Sequence, residues 1–418
     1  MLAAGLFAAE GCSKAPGDPS LQKADSIVEA WVASERVSGA VLLVRRQGET
    51  VLHQAHGWAQ LYEYGTGQYE RPDGIRRMDS PVPMSPGTVF DLASVTKVMA
   101  TTMALMLLVD EEVVDLDAPV VTYLPDFTGD GRDAITVRHL LTHTSGLPQW
   151  LPTYYHASAA PAAYEYLRTV PLEWPVGAER RYSDLGFMLL GRIVQEVSGE
   201  SLDSLVRRRI YRPLGLTATG FRPVESTPAS DSHATDGAGE SGDYAATSHG
   251  NPFERRMVTD PDFGYRIDVD PSAWNGWRTR TLRGEVNDGN AFHAFGGVAG
   301  HAGLFAEARE LGVLLQLLLD RGNHPGGQLF REETVGTFLE PAIEGQALGW
   351  QLPAYAPAGS FGHTGFTGTF VLGVPRDSLA VVLLTNRQNV GVDAETRYPD
   401  VGPLQSAVTE ALTGSAGR

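Results

Sequence analysis

The sequence predicts an α/β (α+β) fold, with one sheet shared by the first and last parts of the chain and a helical stretch inserted between them. Three observations carry this. Apolar strand patterns occur early, at 39–44 (GAVLLV), and late, at 379–385 (LAVVLLT). The middle, about 121–284, carries helical spacing with few β-branched runs. With 42% hydrophobic and 20% charged residues, the composition is globular rather than disordered. The chain is therefore divided into a segment at 1–20 and a single domain over 21–418. In that domain 21–120 and 285–418 form the α/β part and 121–284 the helical and loop insertion.

In order along the chain, 21–37 places apolar residues at Ile27, Val28, Ala30, Trp31 and Val32, which is the pattern of an amphipathic helix. Residues 39–44 and 51–54 flank Arg46-Gln47-Gly48-Glu49 and read as a hairpin. The polar, Gly/Pro-rich stretch 62–86 reads as a loop. A short strand at 89–92 feeds a helix starting near Ser94, and that helix is apolar on nearly all sides through Val109, so it should be central and buried. Residues 115–127 read as a loop with turns. Helices are expected at 137–143, 160–169, 185–197 and 202–210, then a long irregular surface segment at 225–250, rich in Ser, Gly, Ala and Asp. Strands return at 303–305, 348–352, 368–374 and 379–385, with helices at 309–321 and 404–412.

Composition excludes several function classes. Lys+Arg 33 against Asp+Glu 50 gives a net charge of −17, and an acidic chain repels phosphate backbones, so no nucleic-acid partner is expected. A single cysteine, Cys12, excludes an intramolecular disulfide and a multi-thiolate metal site. The small apolar run 2–9 ending at Gly11-Cys12, followed by a Ser/Pro/Gly-rich tether, resembles the end of a bacterial lipoprotein signal. That implies export to the periplasm or cell envelope and a membrane tether through Cys12. No Lys or Arg precedes the run and Glu10 stands two before the Cys, both departures from that pattern. The longest apolar run elsewhere, 98–109, is about 12 residues, short of the ~20 that span a bilayer.

Three motifs carry the chemistry. In Ser94-Val95-Thr96-Lys97, positions i and i+3 share a helix face, so hydroxyl and ammonium lie within reach. Lys97 sits in a run without another charge (VMATTMALMLL), so a surface position is disfavoured; burial at a helix N-terminus can strip its proton and make it a base for Ser94, whereas Asp184, if ionised near it, would tend to keep it protonated. Tyr182-Ser183-Asp184 precedes the helix at 185. There a tyrosine can relay protons, while Ser183 or Asp184 can equally serve as a helix cap. In His363-Thr364-Gly365-Phe366, Gly365 lets backbone approach a ligand closely, and the adjoining strand edge can pair with a substrate backbone. A Gly-rich turn with an ordinary histidine is the plainer reading of the same residues.

Together, in this order and separated by 88 and 181 residues (182 − 94 and 363 − 182), the motifs resemble S-x-x-K, Y-x-N and [KH]-T-G of the serine penicillin-recognising family. That family comprises class C β-lactamases, D,D-carboxypeptidases and related esterases. The runs FDLAS at 90–94, LLTHTSGL at 140–147 and GGVAGHAGL at 296–304 are similar to it too, over roughly 22–415. VNDGNA at 286–291 looks closest to the penicillin-binding protein 4B-like subgroup. The resemblance implies a β-lactamase/transpeptidase-like fold, a central antiparallel sheet flanked by helices with an inserted helical domain. It implies Ser94 as nucleophile, Lys97 as its base partner, Tyr182 as proton relay, and Asp184, His363, Thr364, Gly365 and Phe366 as substrate-binding, with an oxyanion hole from the N–H groups of Ser94 and Phe366. It implies no cofactor and a small-molecule or peptide substrate: a cell-wall stem peptide, ester or β-lactam. Asp184 stands where Asn is usual, and His363 where the antibiotic-hydrolysing members carry Lys. A neutral His anchors a carboxylate less well than Lys, which argues against efficient β-lactam hydrolysis.

Other candidates weigh less. His139 and His143 lie four apart, as zinc ligands often do, but no Glu follows His139, so a structural role is preferred and no metal is assigned. His301, between Gly300 and Ala302-Gly303, reads as a packed turn residue. No G-x-S-x-G is present. Glu111-Glu112 and Asp115-Asp117 read as solvated faces. Two functions follow: an acyl-enzyme serine hydrolase acting on D-amino-acid peptides, esters or amides, with β-lactam hydrolysis as the alternative activity; or a catalytically silent protein that binds penicillin or cell-wall peptide. Retention of Ser94, Lys97 and Tyr182 together favours the first.

Overall fold

The computed structural model describes residues 18–65, 74–224, 244–265 and 269–414. Its main sheet has six antiparallel strands: β1 (Gly39–Arg46), β2 (Glu49–Tyr64), β3 (Ile75–Pro83), β4 (Phe361–Thr364), β5 (Thr369–Val374) and β6 (Leu379–Thr385), in the order β4-β5-β6-β1-β2-β3. The register Ala40↔Thr385 to Arg46↔Leu379 joins the two ends of the chain at the sheet centre. Five helices position the site: α1 (Pro19–Ala33), α2 (Ala93–Asp110), α3 (Asp184–Ser198), α4 (Ala308–Leu319) and α5 (Gly402–Thr413).

β1, β5 and β6 read as continuous apolar runs because both faces are covered. Ala40, Leu42, Val44, Leu372, Val381 and Leu383 pack with Val28 of α1 and Leu404 and Val408 of α5. Val41, Leu43, Val371, Val382 and Leu384 face the other way, into the large core that contains α2 and α4. The period-2 alternation of a strand thus supplies two cores at once. α2 lies deep in the second core, with Val98, Met99, Met103, Leu105 and Met106 fully buried, each contributing roughly 1.5–3 kcal/mol. It is long and apolar enough to cross a membrane, yet here it is a core helix. Cys12, on which the expected membrane tether rests, lies outside the described residues.

Four expectations are corrected. The stretch 62–86 is not all loop: β2 runs to Tyr64 and β3 follows as an edge strand. Its sequence, IRRMDSPVP, is largely solvent-facing, so it shows no apolar alternation. Within 225–250, Ala246–His249 is a buried strand paired with Thr281–Arg283, while 225–243 lies outside the described residues. Residues 348–352 form no strand. Gly349 has φ +83 and its N–H donates to the Leu141 carbonyl, and Trp350 is apolar core. Finally, His363-Thr364 ends β4 on the sheet edge, and a turn at Gly365–Gly368 intervenes before β5.

Candidate active site

Ser94 sits where a strand turns into α2. Phe90–Asp91 pairs with Leu304–Ala306, and the chain then tightens into a 3₁₀ turn at Ala93–Val95. Asp91 fixes that turn: one carboxylate oxygen accepts from the Ala93 N–H (2.9 Å) and the other from the Asn287 N–H (2.6 Å). Burial raises the Asp91 carboxyl to about 6, against these two bonds. Ala93 is held at φ +44, a strained conformation for a side chain-bearing residue, immediately before Ser94.

One turn on, Lys97 is fully buried, and its Nζ meets three oxygens: Ser94 Oγ at 2.9 Å, the His301 carbonyl at 3.1 Å and Asp184 Oδ1 at 2.7 Å. Gly300 permits this, since a Cβ there would lie 2.0 Å from the Phe187 carbonyl of α3. Tyr182 O–H donates to Ser94 Oγ at 2.8 Å. Ser183 caps α3, accepting from the Gly186 N–H at 3.3 Å, which leaves Asp184 free to turn back onto Lys97. The cap of the Tyr-Ser-Asp motif thus falls to Ser183, while Tyr182 and Asp184 face Ser94 and Lys97.

The electrostatics decide between the two expectations for Lys97. Burial does push Lys97 downward, but the Asp184 carboxylate and Tyr182 outweigh it, and the ammonium is held above its ordinary range. Burial raises the Tyr182 phenol to about 12, with Lys97 opposing. Resting Ser94 therefore faces a charged lysine and a neutral phenol. Burial, then Lys97, brings His363 down to about 3. Its neutral ring donates from Nδ1 to the Thr364 carbonyl (2.8 Å), and Nε2 is left without a hydrogen-bond partner among the described residues.

Ser94, Tyr182, Asp184, His363, Thr364, Gly365 and Phe366 all line one cavity of about 520 Å³. Gly365 is required by close approach, as a Cβ would lie 2.4 Å from the Leu92 carbonyl. Thr367 and Thr369 donate to the Asp91 and Leu92 carbonyls (2.7 and 3.0 Å), stitching the β4–β5 turn to the strand before Ser94. Phe366 is 40% exposed and packs on Phe253 and Tyr398, forming an aromatic rim.

Residues 24–403 match the Beta-lactamase family model. The chain belongs to the Beta-lactamase family. It is 32% identical over 406 residues to the "N-acetylmuramyl-L-alanine amidase" of Bacillus subtilis, covering 91% of this chain and 84% of that one. It is 33% identical over 403 residues to the "Putative D-alanyl-D-alanine carboxypeptidase" of Escherichia coli K12, covering 90% and 85%. Among solved structures, a class C β-lactamase from Rhodobacter sphaeroides superposes with TM-score 0.60 at 21% identity, over 94% of this chain and 98% of that one. A family VIII carboxylesterase does so with TM-score 0.63 at 19% identity, over 94% and 97%. These two likenesses establish the β-lactamase/transpeptidase-like fold.

Within this Beta-lactamase family cavity, several residues escaped the sequence reading. Glu254, Asp288 and Arg387 line it. Asp288 Oδ1 meets His301 Nε2 at 3.0 Å, so the turn histidine has a side-chain partner in the cavity wall as well as a carbonyl on Lys97. The VNDGNA and GGVAGHAGL runs were the available signal. His139 and His143 share no ligand geometry: His139 Nδ1 accepts from the Thr136 N–H at 3.1 Å in a capping box, whereas His143 Nδ1 accepts from the Ser183 N–H at 3.1 Å.

Proposed function

We propose that this member of the serine hydrolase family forms an acyl-enzyme on Ser94 and acts on D-amino-acid peptides, in the manner of a D,D-carboxypeptidase, or on related esters and amides. One observation carries the reading: Ser94 Oγ, at the wall of an open cavity, receives hydrogen bonds from both Lys97 and Tyr182. The acylating form has a neutral Lys97, whose proton has left to solvent. As Ser94 Oγ bonds to the substrate carbonyl carbon, its proton passes to Lys97, and Asp184 stabilises the resulting ammonium. The N–H groups of Ser94 and Phe366 are assigned to the carbonyl oxygen. On collapse, the bond to the leaving group breaks and Tyr182 gives that group its proton. Tyr182 is then reprotonated from Lys97, which returns to the neutral amine.

The names of the relatives support a peptide or amide substrate. The neutral His363 argues against β-lactam specialisation. A charged hydrogen bond to a substrate carboxylate is worth about 1.5–3 kcal/mol, or roughly one to two powers of ten in discrimination, and His363 does not supply it. Thr364 and Arg387, on the same cavity, are donors available for a carboxylate.

Incubation with a fluorescent penicillin or fluorophosphonate should add a covalent mass to the Ser94 peptide, and none in Ser94→Ala. Labelling of Ser94→Ala at the wild-type rate would overturn the assignment. Turnover of a p-nitrophenyl ester or a D-Ala-D-Ala peptide should exceed that of nitrocefin; nitrocefin faster than the ester by about tenfold or more would make the protein a β-lactamase. A protein that neither labels nor turns over would be the silent binder. We also propose export and tethering through Cys12. Cys12→Ser should move the protein from the membrane to the soluble envelope fraction, and a cytoplasmic protein retaining Met1 would exclude this.

A further inference from the structure

His143 belongs to the LLTHTSGL run, to which the reaction above gives no task. It follows the short helix Val137–Leu141, is 1% exposed, and has φ +58. A buried β-carbon in the left-handed region persists only where its surroundings demand it, and here the surroundings are the chain on both sides of Tyr182. The His143 carbonyl accepts from the Arg181 N–H at 2.8 Å. Its side-chain Nδ1 accepts from the Ser183 N–H at 3.1 Å. Between these two anchors its ring packs against the Tyr182 ring, with centroids 4.6 Å apart and planes at 34°, and against Phe187 of α3 at 5.3 Å.

We infer that His143 is the positioning residue of the proton relay: it grips the backbone before and after Tyr182 and stacks on its ring, so that the phenol is held on Ser94. The inference rests on the acyl-enzyme reading above. The geometry requires one tautomer. Nδ1 can accept from Ser183 only if it carries no proton, so the ring is neutral with its proton on Nε2. Burial, then the neighbouring Lys97 and Arg180 charges, keep it so by holding His143 well below its ordinary range. The backbone bond to Arg181 needs no particular side chain. The bond to Ser183 does, and this makes the role testable by atom position.

Asparagine places an oxygen acceptor near the position of Nδ1 and tolerates positive φ. Glutamine places its acceptor one carbon further out, and phenylalanine keeps the ring without an acceptor. With a p-nitrophenyl ester, His143→Phe and His143→Gln should lower kcat by about 100-fold, the scale of a misplaced catalytic group, with KM little changed, while His143→Asn retains most of kcat. Fluorophosphonate labelling of Ser94 should slow in the same order. Equal kcat in the Asn and Gln variants overturns the inference, and so does a folded His143→Phe with wild-type kcat. If His143→Phe does not fold, the Asn and Gln pair decides alone. Failure of the wild-type protein to label at Ser94 is a different result, and it removes the acyl-enzyme reading itself.

Discussion

The two walls of the cavity carry the same chemical group, a carboxyl, in unlike surroundings. On one wall, Asp184 lies 2.7 Å from the Lys97 ammonium, an ion pair in which the lysine is fully buried. On the other, Glu254 accepts at 3.1 Å from the Asn251 side chain and from the Gly289 N–H, with no ammonium or guanidinium in contact among its described hydrogen bonds. Burial, reinforced by the charge of Asp288, raises it to about 8, although Arg278 opposes this. Asp288 itself is held below the usual carboxylate range: burial pushes it up, but His301 and the Ala291 N–H, at 2.7 Å, outweigh that. Two N–H donors do not keep Glu254 or Asp91 from being raised, whereas the His301 imidazole together with an N–H donor holds Asp288 down.

The largest effect expected on the first wall is kinetic. Tyr182→Phe removes the proton donor while keeping the ring against His143, and should lower ester kcat by about 10²- to 10⁴-fold. Steady-state kinetics on a folded variant check this, and a loss under about threefold would place the relay elsewhere. The next effect is on stability. Asp184→Ala leaves the buried Lys97 without its carboxylate, and breaking such a pair costs about 3 kcal/mol. Glu254→Gln on the second wall should cost far less at pH 7, because the native side chain is already neutral there. Equal losses in denaturant unfolding of the two variants would erase the contrast between the walls.

The difference between the walls also explains what the sequence disclosed. Ser94 and Lys97 lie on one helical turn and Tyr182 to Asp184 on one loop, so their chemistry is local and spacing reveals it. The second wall draws on Asn251, Glu254, Asn287, Asp288 and His301, which only tertiary packing assembles; each residue alone is an ordinary polar one. The same distinction holds for the fold. β1 and β6 are legible because they are apolar on both faces, whereas β3 is an exposed edge with two arginines and two prolines. Residues 348–352 misled for the converse reason: Trp350 is apolar because it is buried, and burial without alternation does not make a strand. For Lys97 the sequence offers both terms, burial and an acidic partner 87 residues away (184 − 97), and only the packed structure shows that the partner prevails.

A smaller effect separates the charge of Asp184 from its shape. Since its carboxylate holds the Lys97 ammonium above its ordinary range, and the acylating form needs the neutral amine, it places the acid limb of the pH–rate profile high. Asp184→Asn keeps the size and removes the charge, so the limb should move down, by about 1 to 3 pH units for a charge at this separation. The plateau should fall at the same time, because the ammonium formed during attack loses its partner. An acid limb that stays in place would show that the lysine is not the group titrating.

The smallest effect expected is a pH dependence of stability, and it tests the second wall alone. A carboxyl whose folded-state value is raised from 4.5 to about 8 contributes stability that is fully present below 4.5 and is lost as pH rises toward 8. Asp91, raised to about 6, has nearly finished by pH 7. His53, His139, His143, His293 and His363 are all held below 6.5, so they still add stability just above pH 7, as the last unfolded histidines lose their protons, and oppose the Glu254 loss. Lys97 is raised above 10.5 and Tyr182 above 10, so neither changes until higher pH. Between pH 7 and 8.5 the wild-type protein should therefore lose, relative to Glu254→Gln, on the order of 1 kcal/mol. Glu254→Gln fixes the neutral form and leaves the histidines as they are, so the wild-type Tm should fall against that of the variant over the interval. Parallel curves for the two proteins would mean that Glu254 is ionised in the folded state, and that Arg278 and the N–H donors outweigh its burial.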